Sequence, residues 1–268
     1  MSAQLGKSHD ILVSPPFSIS LAERVDGTVT QGIVYIATGP KYIRAAAHSA
    51  TTVRTHSPGL PTHLFADWRS HGFDFGTSPA PFTSVEEVEH PHRRSKVDYL
   101  ARTPFDHTLY LDSDTALNAD ISGMFRILER FDIALSHAHR RNVENRLKPW
   151  RIALPQAFPQ YNAGVVLYRR SPEVLAFLDE WRQSFHTAGF LQDQMTLREL
   201  LWLSDLRMAT LPPEYNVRLI KYHYLWAKTE ATSRIFHRRR YHDGPFWSVQ
   251  RRLRKLRQRL TSGGRRAG

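Results

Sequence analysis

The sequence predicts an α/β chain, one domain on a mostly parallel central sheet followed by a basic helical tail, and three stretches carry that expectation. Ile33-Val34-Tyr35-Ile36-Ala37 is a continuous apolar run rich in β-branched residues, the composition of a strand covered on both faces. Lys41–Arg54 follows with Ile43, Ala46, Ala47, Ala50 and Val53 on one helical face, and Pro61–Asp67 reads as a second strand. Strand, helix and strand at this length make a βαβ unit, so the two strands run parallel. The third stretch is Leu109-Tyr110-Leu111, a short strand-forming run that ends abruptly in Asp112-Ser113-Asp114.

Taken in order, residues 1–30 hold Pro15, Pro16 and Gly27 and read as irregular, residues 31–243 as the domain, and residues 244–268 as the tail. Thr38-Gly39-Pro40 closes the first strand. Residues 70–91, with Gly72, Gly76, Pro79, Pro81 and Pro91, read as loop. Arg94–Arg102 reads as a short helix stopped by Pro104. Ile121–Arg130 is expected to be helical and Phe131–Ser136 a strand. Residues 140–160 are polar and Pro-containing, a loop over the site. Asn162–Arg169 is a strand. Pro172 then sits where a first helical turn accepts it, ahead of Val174, Phe177, Leu178, Trp181 and Phe185 at core spacing. Leu191–Leu203 is expected as another helix and Met208–Leu211 as a short strand.

The chain of 268 residues has no cysteine, which excludes disulfides, thiolate zinc sites and a cysteine nucleophile. No run of about 18 apolar residues is present to span a bilayer, and no leader pattern opens the sequence, so a cytoplasmic protein is expected. The net charge is +12, but it is unevenly placed. From residue 234 onward there are twelve Arg and Lys against one acid, Asp243, so residues 1–233 carry about +1. A negatively charged partner is implied for the tail rather than for the body.

Two carboxylates one residue apart at a strand end repel each other unless a cation lies between them, and a divalent ion with oxygen preference resolves that repulsion. In α/β sheets the carboxyl end of a strand is also where ligands bind. Asp112 and Asp114 are therefore candidate metal ligands. The competing reading is a solvated Asp-Ser-Asp turn with Thr115 as a helix cap.

Read together, these pieces resemble a GT-A (Rossmann-like) glycosyltransferase, and most closely glycosyltransferase family 8 and the nucleotide-diphospho-sugar transferases. The resemblance spans residues 33 to 243. It rests on Ala37-Thr38 at the first strand end, on Lys96 in the helix before the metal strand, and on Leu109-Tyr110-Leu111-Asp112-Ser113-Asp114-Thr115. It rests further on Tyr161-Asn162-Ala163-Gly164-Val165, on Leu191-Gln192-Asp193-Gln194, and on Leu211-Pro212-Pro213-Glu214-Tyr215-Asn216 followed by Ile235-Phe236-His237. Where that family carries a Gly and a Lys soon after its metal His, this sequence has Arg238, Arg239, Arg240 and Gly244.

The resemblance implies a metal-dependent transfer of sugar from a nucleoside-diphosphate donor, UDP-linked, to a glycan or glycolipid, with retention. Asp112, Asp114 and His237 would hold Mn²⁺ or Mg²⁺, the imidazole favouring Mn²⁺. Ala37, Thr38 and Tyr42 would border the nucleotide, and Ser113 lies within the metal turn. Lys96 would add charge at the diphosphate; a solvated basic helix face is its alternative. Asn162 would hydrogen-bond a sugar hydroxyl, with Gly164 leaving room for close approach. Asp193 would contact the donor sugar, or merely cap a helix, and Gln194 would stand beside the reacting carbon.

In the tail, Phe246, Val249, Leu253, Leu256 and Leu260 recur at spacings of three and four among arginines, a basic amphipathic helix suited to an anionic membrane surface. That places the chain peripherally on the inner face of a membrane. Two rivals remain. A sugar nucleotidyltransferase requires a Gly-rich phosphate loop, for which Thr38-Gly39-Pro40 is meagre. A non-enzymatic basic module for membrane or nucleic acid requires charge over the body, which is nearly neutral, so nucleic acid is not an expected partner. His90-Pro91-His92 and His137-Ala138-His139 lack the helical spacing of a zinc protease.

Overall fold

The computed structural model of the chain describes residues 28–75, 79–139, 143, 147–226 and 229–243. The irregular reading of residues 1–27 and the amphipathic tail over 244–268 lie outside them.

The apolar run at the start forms β1 (Gln31–Ala37), buried from Gly32 onward. Its alternate residues go to opposite layers. Ile33, Tyr35 and Ala37 join one core cluster and Val34 and Ile36 the other, so both faces of the strand are covered. Gly39 then turns the chain with φ of 93°, a conformation suited to glycine, and its N–H donates to Asp67 Oδ1 at 2.7 Å. Helix α1 (Pro40–His56) begins with its proline in the first turn and buries Ile43, Ala46, Ala50 and Val53. Strand β2 (Thr62–Ala66) pairs parallel with β1, as the βαβ reading requires.

Residues 70–91 are not all loop. Arg69–His71 makes a short 3₁₀ turn, and β3 (Ser84–Glu87) adds parallel to β2. This edge strand offers one apolar residue, Val85, so no alternation announces it. Next come α2 (Lys96–Tyr99), a 3₁₀ turn at Leu100–Arg102, β4 (His107–Leu111) and β5 (Thr115–Leu117). Thr115 is therefore a strand residue and not a helix cap. Its hydroxyl donates to the Asp112 carbonyl at 2.8 Å.

Ser122–Glu129 is helical as expected but wound as 3₁₀, and leads into β6 (Ile133–His137). Strand β7 (Tyr161–Arg169) and helix α3 (Pro172–Ala188) match the expected positions. Helix α4 (Gln194–Leu203) begins three residues later than Leu191, which is itself exposed. The chain closes with β8 (Met208–Thr210), a 3₁₀ turn at Pro213–Tyr215, α5 (Ile220–Leu225), β9 (Ile235–His237) and α6 (Arg240–Asp243).

Seven strands form one sheet in the order β3-β2-β1-β4-β7-β6-β8, and β7 alone runs against its neighbours β4 and β6. Helix α1 and the 3₁₀ segment cover one face through Ile43, Val53, Met124 and Phe125. Helices α2, α3 and α4 cover the other through Val97, Phe177, Trp181, Leu197 and Leu200. Strands β5 and β9 make a separate antiparallel ribbon at the end of β4. No helix among the described residues is long and apolar enough to cross a membrane.

Candidate metal and substrate site

The site begins where β4 stops. Asp112 N–H donates to the Gly164 carbonyl at 2.8 Å, which fixes the first carboxylate beside β7. The register of the β5–β9 ribbon sets Thr115 opposite His237, so the last strand of the domain carries its imidazole back to the Asp-Ser-Asp turn. Arg238 N–H donates to the Asp114 carbonyl at 2.7 Å and locks that return.

His237 is 2 % exposed. Its Nε2 lies 3.0 Å from Asp114 Oδ1 and 3.4 Å from Asp112 Oδ2. On the other side of the ring, Nδ1 is 2.8 Å from Asn216 Oδ1. Asn216 in turn donates its amide to Asn162 Oδ1 at 3.0 Å, and Asn162 Oδ1 also accepts the Gly164 N–H at 3.0 Å. This chain makes Asn216 Oδ1 the acceptor. His237 therefore donates from Nδ1, and the Nε2 of its neutral form presents a lone pair to the two carboxylates, as in a metal-ligating histidine with its supporting partner.

Two carboxylate oxygens and one imidazole nitrogen meet within 4.8 Å of one another, a donor set that fits a divalent ion such as Mn²⁺. Gly164 supplies the space. A Cβ there would lie 2.2 Å from His237 Cε1 and 2.5 Å from Asp112 Oδ2.

Charge around this centre is tightly arranged. Lys96, 6 % exposed, reaches to the Asp-Ser-Asp turn. Its Nζ donates to the Ala163 carbonyl at 2.8 Å and stands 3.3 Å from Asp112 Oδ1 and 2.9 Å from Asp193 Oδ2, the last an ion contact without aligned hydrogen-bond geometry. Burial works against the ammonium, but Asp112 and Asp193 outweigh it and hold its pKa above the usual lysine value. Lys96 is not a solvated helix face.

Burial would likewise raise Asp112, yet Lys96 and His237 hold its carboxyl well below the ordinary carboxylate range. For Asp114, burial is again opposed, chiefly by His237, with the same direction. Tyr110 donates its hydroxyl to Asp112 Oδ1 at 2.7 Å, and burial followed by the nearby carboxylate pushes that phenol well up.

Asp193 stands at the start of α4, but its side chain makes no capping hydrogen bond. It is 1 % exposed and meets Lys96 and, at 3.5 Å, Arg94 Nη1. Asn162 likewise uses its carbonyl inward, on Gly164 and Asn216.

A cavity of about 1200 Å³ opens over these groups. Ala37, Thr38, Tyr42, Lys96, Asp112, Ser113 and Asp114 line it. Asn162, Asp193, Gln194 and His237 line it as well, and Gly164 lies beneath, between Asp112 and His237. All twelve sequence-derived candidates thus gather in one place. Sequence reasoning did not single out Asn216, Tyr110, Arg94 or His242. His242 Nε2 lies 3.4 Å from Asp114 Oδ2, and its position five residues past His237 was the only available signal.

A second cluster, His92, Asp98 and His186, ties α2 to α3. His186 Nε2 is 2.7 Å from Asp98 Oδ1, and His92 Nε2 meets Asp98 Oδ2. Arg94 N–H donates to His92 Nδ1 at 3.2 Å, so the His92 proton sits on Nε2 and is given to Asp98. That geometry makes His92 a donor to a carboxylate rather than a metal ligand.

The topology and the strand-end position of the site match the GT-A fold, a Rossmann-like α/β architecture. Solved structures of the galactosyltransferase LgtC share it. The complex of LgtC with donor and acceptor sugar analogs superposes with a TM-score of 0.54 at 14% identity, covering 78% of this chain and 87% of that one. An active-site glutamine-to-glutamate variant of LgtC gives 0.54 and 14% over 82% and 93%. No protein-family model matches the sequence, and no curated protein matches it.

Proposed function

We propose that this chain is a metal-dependent glycosyltransferase that moves a sugar from a nucleoside-diphosphate donor, UDP-linked, to a glycan or glycolipid acceptor with retention. The observation that carries the reading is the convergence of Asp112, Asp114 and the Nε2 of His237 in a large cavity. The fold adds support, since LgtC was crystallised with donor and acceptor sugar analogs bound.

Asp112, Asp114 and His237 would hold Mn²⁺ or Mg²⁺, which neutralises charge on the departing diphosphate. The chain's own groups do the rest. Ala37, Thr38 and Tyr42 border the nucleotide, and Ser113 sits in the turn between the two metal carboxylates. Lys96, kept charged by its two carboxylates, adds a fixed cation beside the diphosphate. Asp193, matched by Lys96 and Arg94, faces the donor sugar, and Gln194 stands beside the reacting carbon. With its carbonyl turned inward, Asn162 has its amide N–H groups left for a sugar hydroxyl.

Inversion needs a carboxylate base for the acceptor hydroxyl. Among the described residues, every carboxylate lining the cavity is committed. Asp112 and Asp114 serve the metal, Asp193 pairs with Lys96, and Asp67 accepts from Gly39 N–H and meets His71 at 3.1 Å. That commitment supports retention. The amphipathic pattern of residues 244–268 supports a peripheral position on the cytoplasmic face of a membrane.

The test is titration calorimetry of UDP with Mn²⁺ and with chelator, repeated on Asp114→Ala. Manganese-dependent binding that the substitution abolishes is the expected outcome. The same behaviour with GDP instead changes the donor, and no binding of any nucleoside diphosphate removes the transferase reading.

A further inference from the structure

The cavity holds more positive charge than a nucleotide-sugar donor can neutralise. Eight Lys and Arg side chains line it against four Asp. The four carboxylates are the ones already committed to the metal, to Lys96 with Arg94, and to the Gly39 turn. Arg93, Arg218, Arg238 and Arg240 make no ion pair with any carboxylate among the described residues, and Arg218 and Arg238 are half-buried.

Arg218 feels the Asp114 carboxylate from beyond ion-pair distance, and a half-buried guanidinium with no ion pair is unfavourable until an anion arrives. In the proposed donor complex, a divalent ion offsets Asp112 and Asp114, and the diphosphate of the donor brings roughly two negative charges, fewer than the four guanidinium groups without an ion pair. Positive charge then remains on the cavity lining for a second substrate to meet.

We infer, on the basis of the transferase reading above, that the acceptor is an anionic glycan, carrying a phosphate or carboxylate that the unpaired cavity arginines recognise. Arginine suits this task because its planar fork binds such groups in bidentate fashion. One charge-assisted contact of this kind is worth about tenfold in affinity.

The test uses the full chain saturated with UDP and Mn²⁺ and two matched pairs of probes, glucose with glucose 6-phosphate and lactose with 3′-sialyllactose. Calorimetry reads each affinity at low and at high salt. The expected result is that the anionic member of a pair binds about tenfold tighter or better, with the gap narrowing in high salt. Equal affinities, or anion binding that UDP abolishes, overturn the inference and leave the transferase reading standing. If UDP and Mn²⁺ fail to bind in the first step, the transferase reading falls, and this inference with it. Single Arg→Gln variants at Arg93, Arg218, Arg238 and Arg240 provide the second readout. At least one is expected to close the gap between anionic and neutral probes, and a full gap in all four overturns the assignment.

Discussion

At the residue scale, the site depends on an atom that is missing by design of the sequence. Gly164→Ala would place a methyl against His237 and Asp112, at 2.2 Å and 2.5 Å, so the imidazole or the carboxylate must move. The expected outcome is a loss of Mn²⁺ affinity of tenfold or more, with a stability cost of about 1–3 kcal/mol from overpacking, read by metal titration and by urea unfolding. Lys96→Met tests the buried charge network. It leaves Asp193, 1 % exposed, with only Arg94 at 3.5 Å, and should cost about 3–5 kcal/mol in chemical denaturation. Asp112 and Asp114 set the acid limb of stability. Their folded pKa values lie below the unfolded value of about 3.9, so their contribution is present above that pH and is lost as pH falls further. In metal-free protein, Asp112→Asn should flatten that acid limb in unfolding curves. Asp112 and Asp114 were legible because carboxylate spacing is a local pattern, and His237 because it closes the ordered motifs on which the family resemblance rests. Asn216 was not. Its role exists only once the chain folds His237 and Asn162 to either side of it.

Among the elements, β2 carries its own titration. His63 is buried on this strand, with Nδ1 2.7 Å from Ser84 Oγ and its ring edge-on to Phe65. Burial, and then the nearby Arg102, lower its pKa to about 4. The unfolded histidine titrates near 6.5, so between those values the unfolded state binds more protons and stability drops as pH falls. The full effect is roughly 3 kcal/mol, complete near pH 4. Urea midpoints at neutral and mildly acidic pH should converge in His63→Gln, and an unchanged pH slope would place the effect elsewhere. The βαβ opening and α3 were legible because each buries a continuous apolar face with its own period. Edge strand β3 was not, since Ser84-Val85-Glu86-Glu87 gains its strand identity from pairing with β2 and not from its side chains. The late start of α4 has a similar cause. Leu191 looks apolar enough to begin a helix, but Asp193 is drawn into the Lys96 network and the helix starts behind it.

Over the whole molecule, charge separates two tasks. The body, near neutral by composition, sets Arg93, Arg218, Arg238 and Arg240 around one cavity without ion pairs, while residues 244–268 carry a second run of positive charge interleaved with apolar residues. The expected consequence is that the full chain co-sediments with anionic vesicles and not with neutral ones. Leu253→Asp with Leu256→Asp should abolish this while leaving UDP binding unchanged, and equal sedimentation of the variant would exclude the tail as the anchor. The fold class and the Asp112, Asp114 and His237 cluster were both visible in the sequence, because each rests on ordered local motifs. The arginine surplus was visible only as a total, since sequence does not say which charges share a wall. The β5–β9 ribbon, finally, sets a timetable. The seven-stranded sheet is complete at Thr210, but the histidine that closes the site arrives at residue 237. As the chain leaves the ribosome, the scaffold precedes its chemistry by 27 residues (237 less 210). The strands of the sheet can therefore pair before the residue that completes the Asp112, Asp114 and His237 cluster has been made.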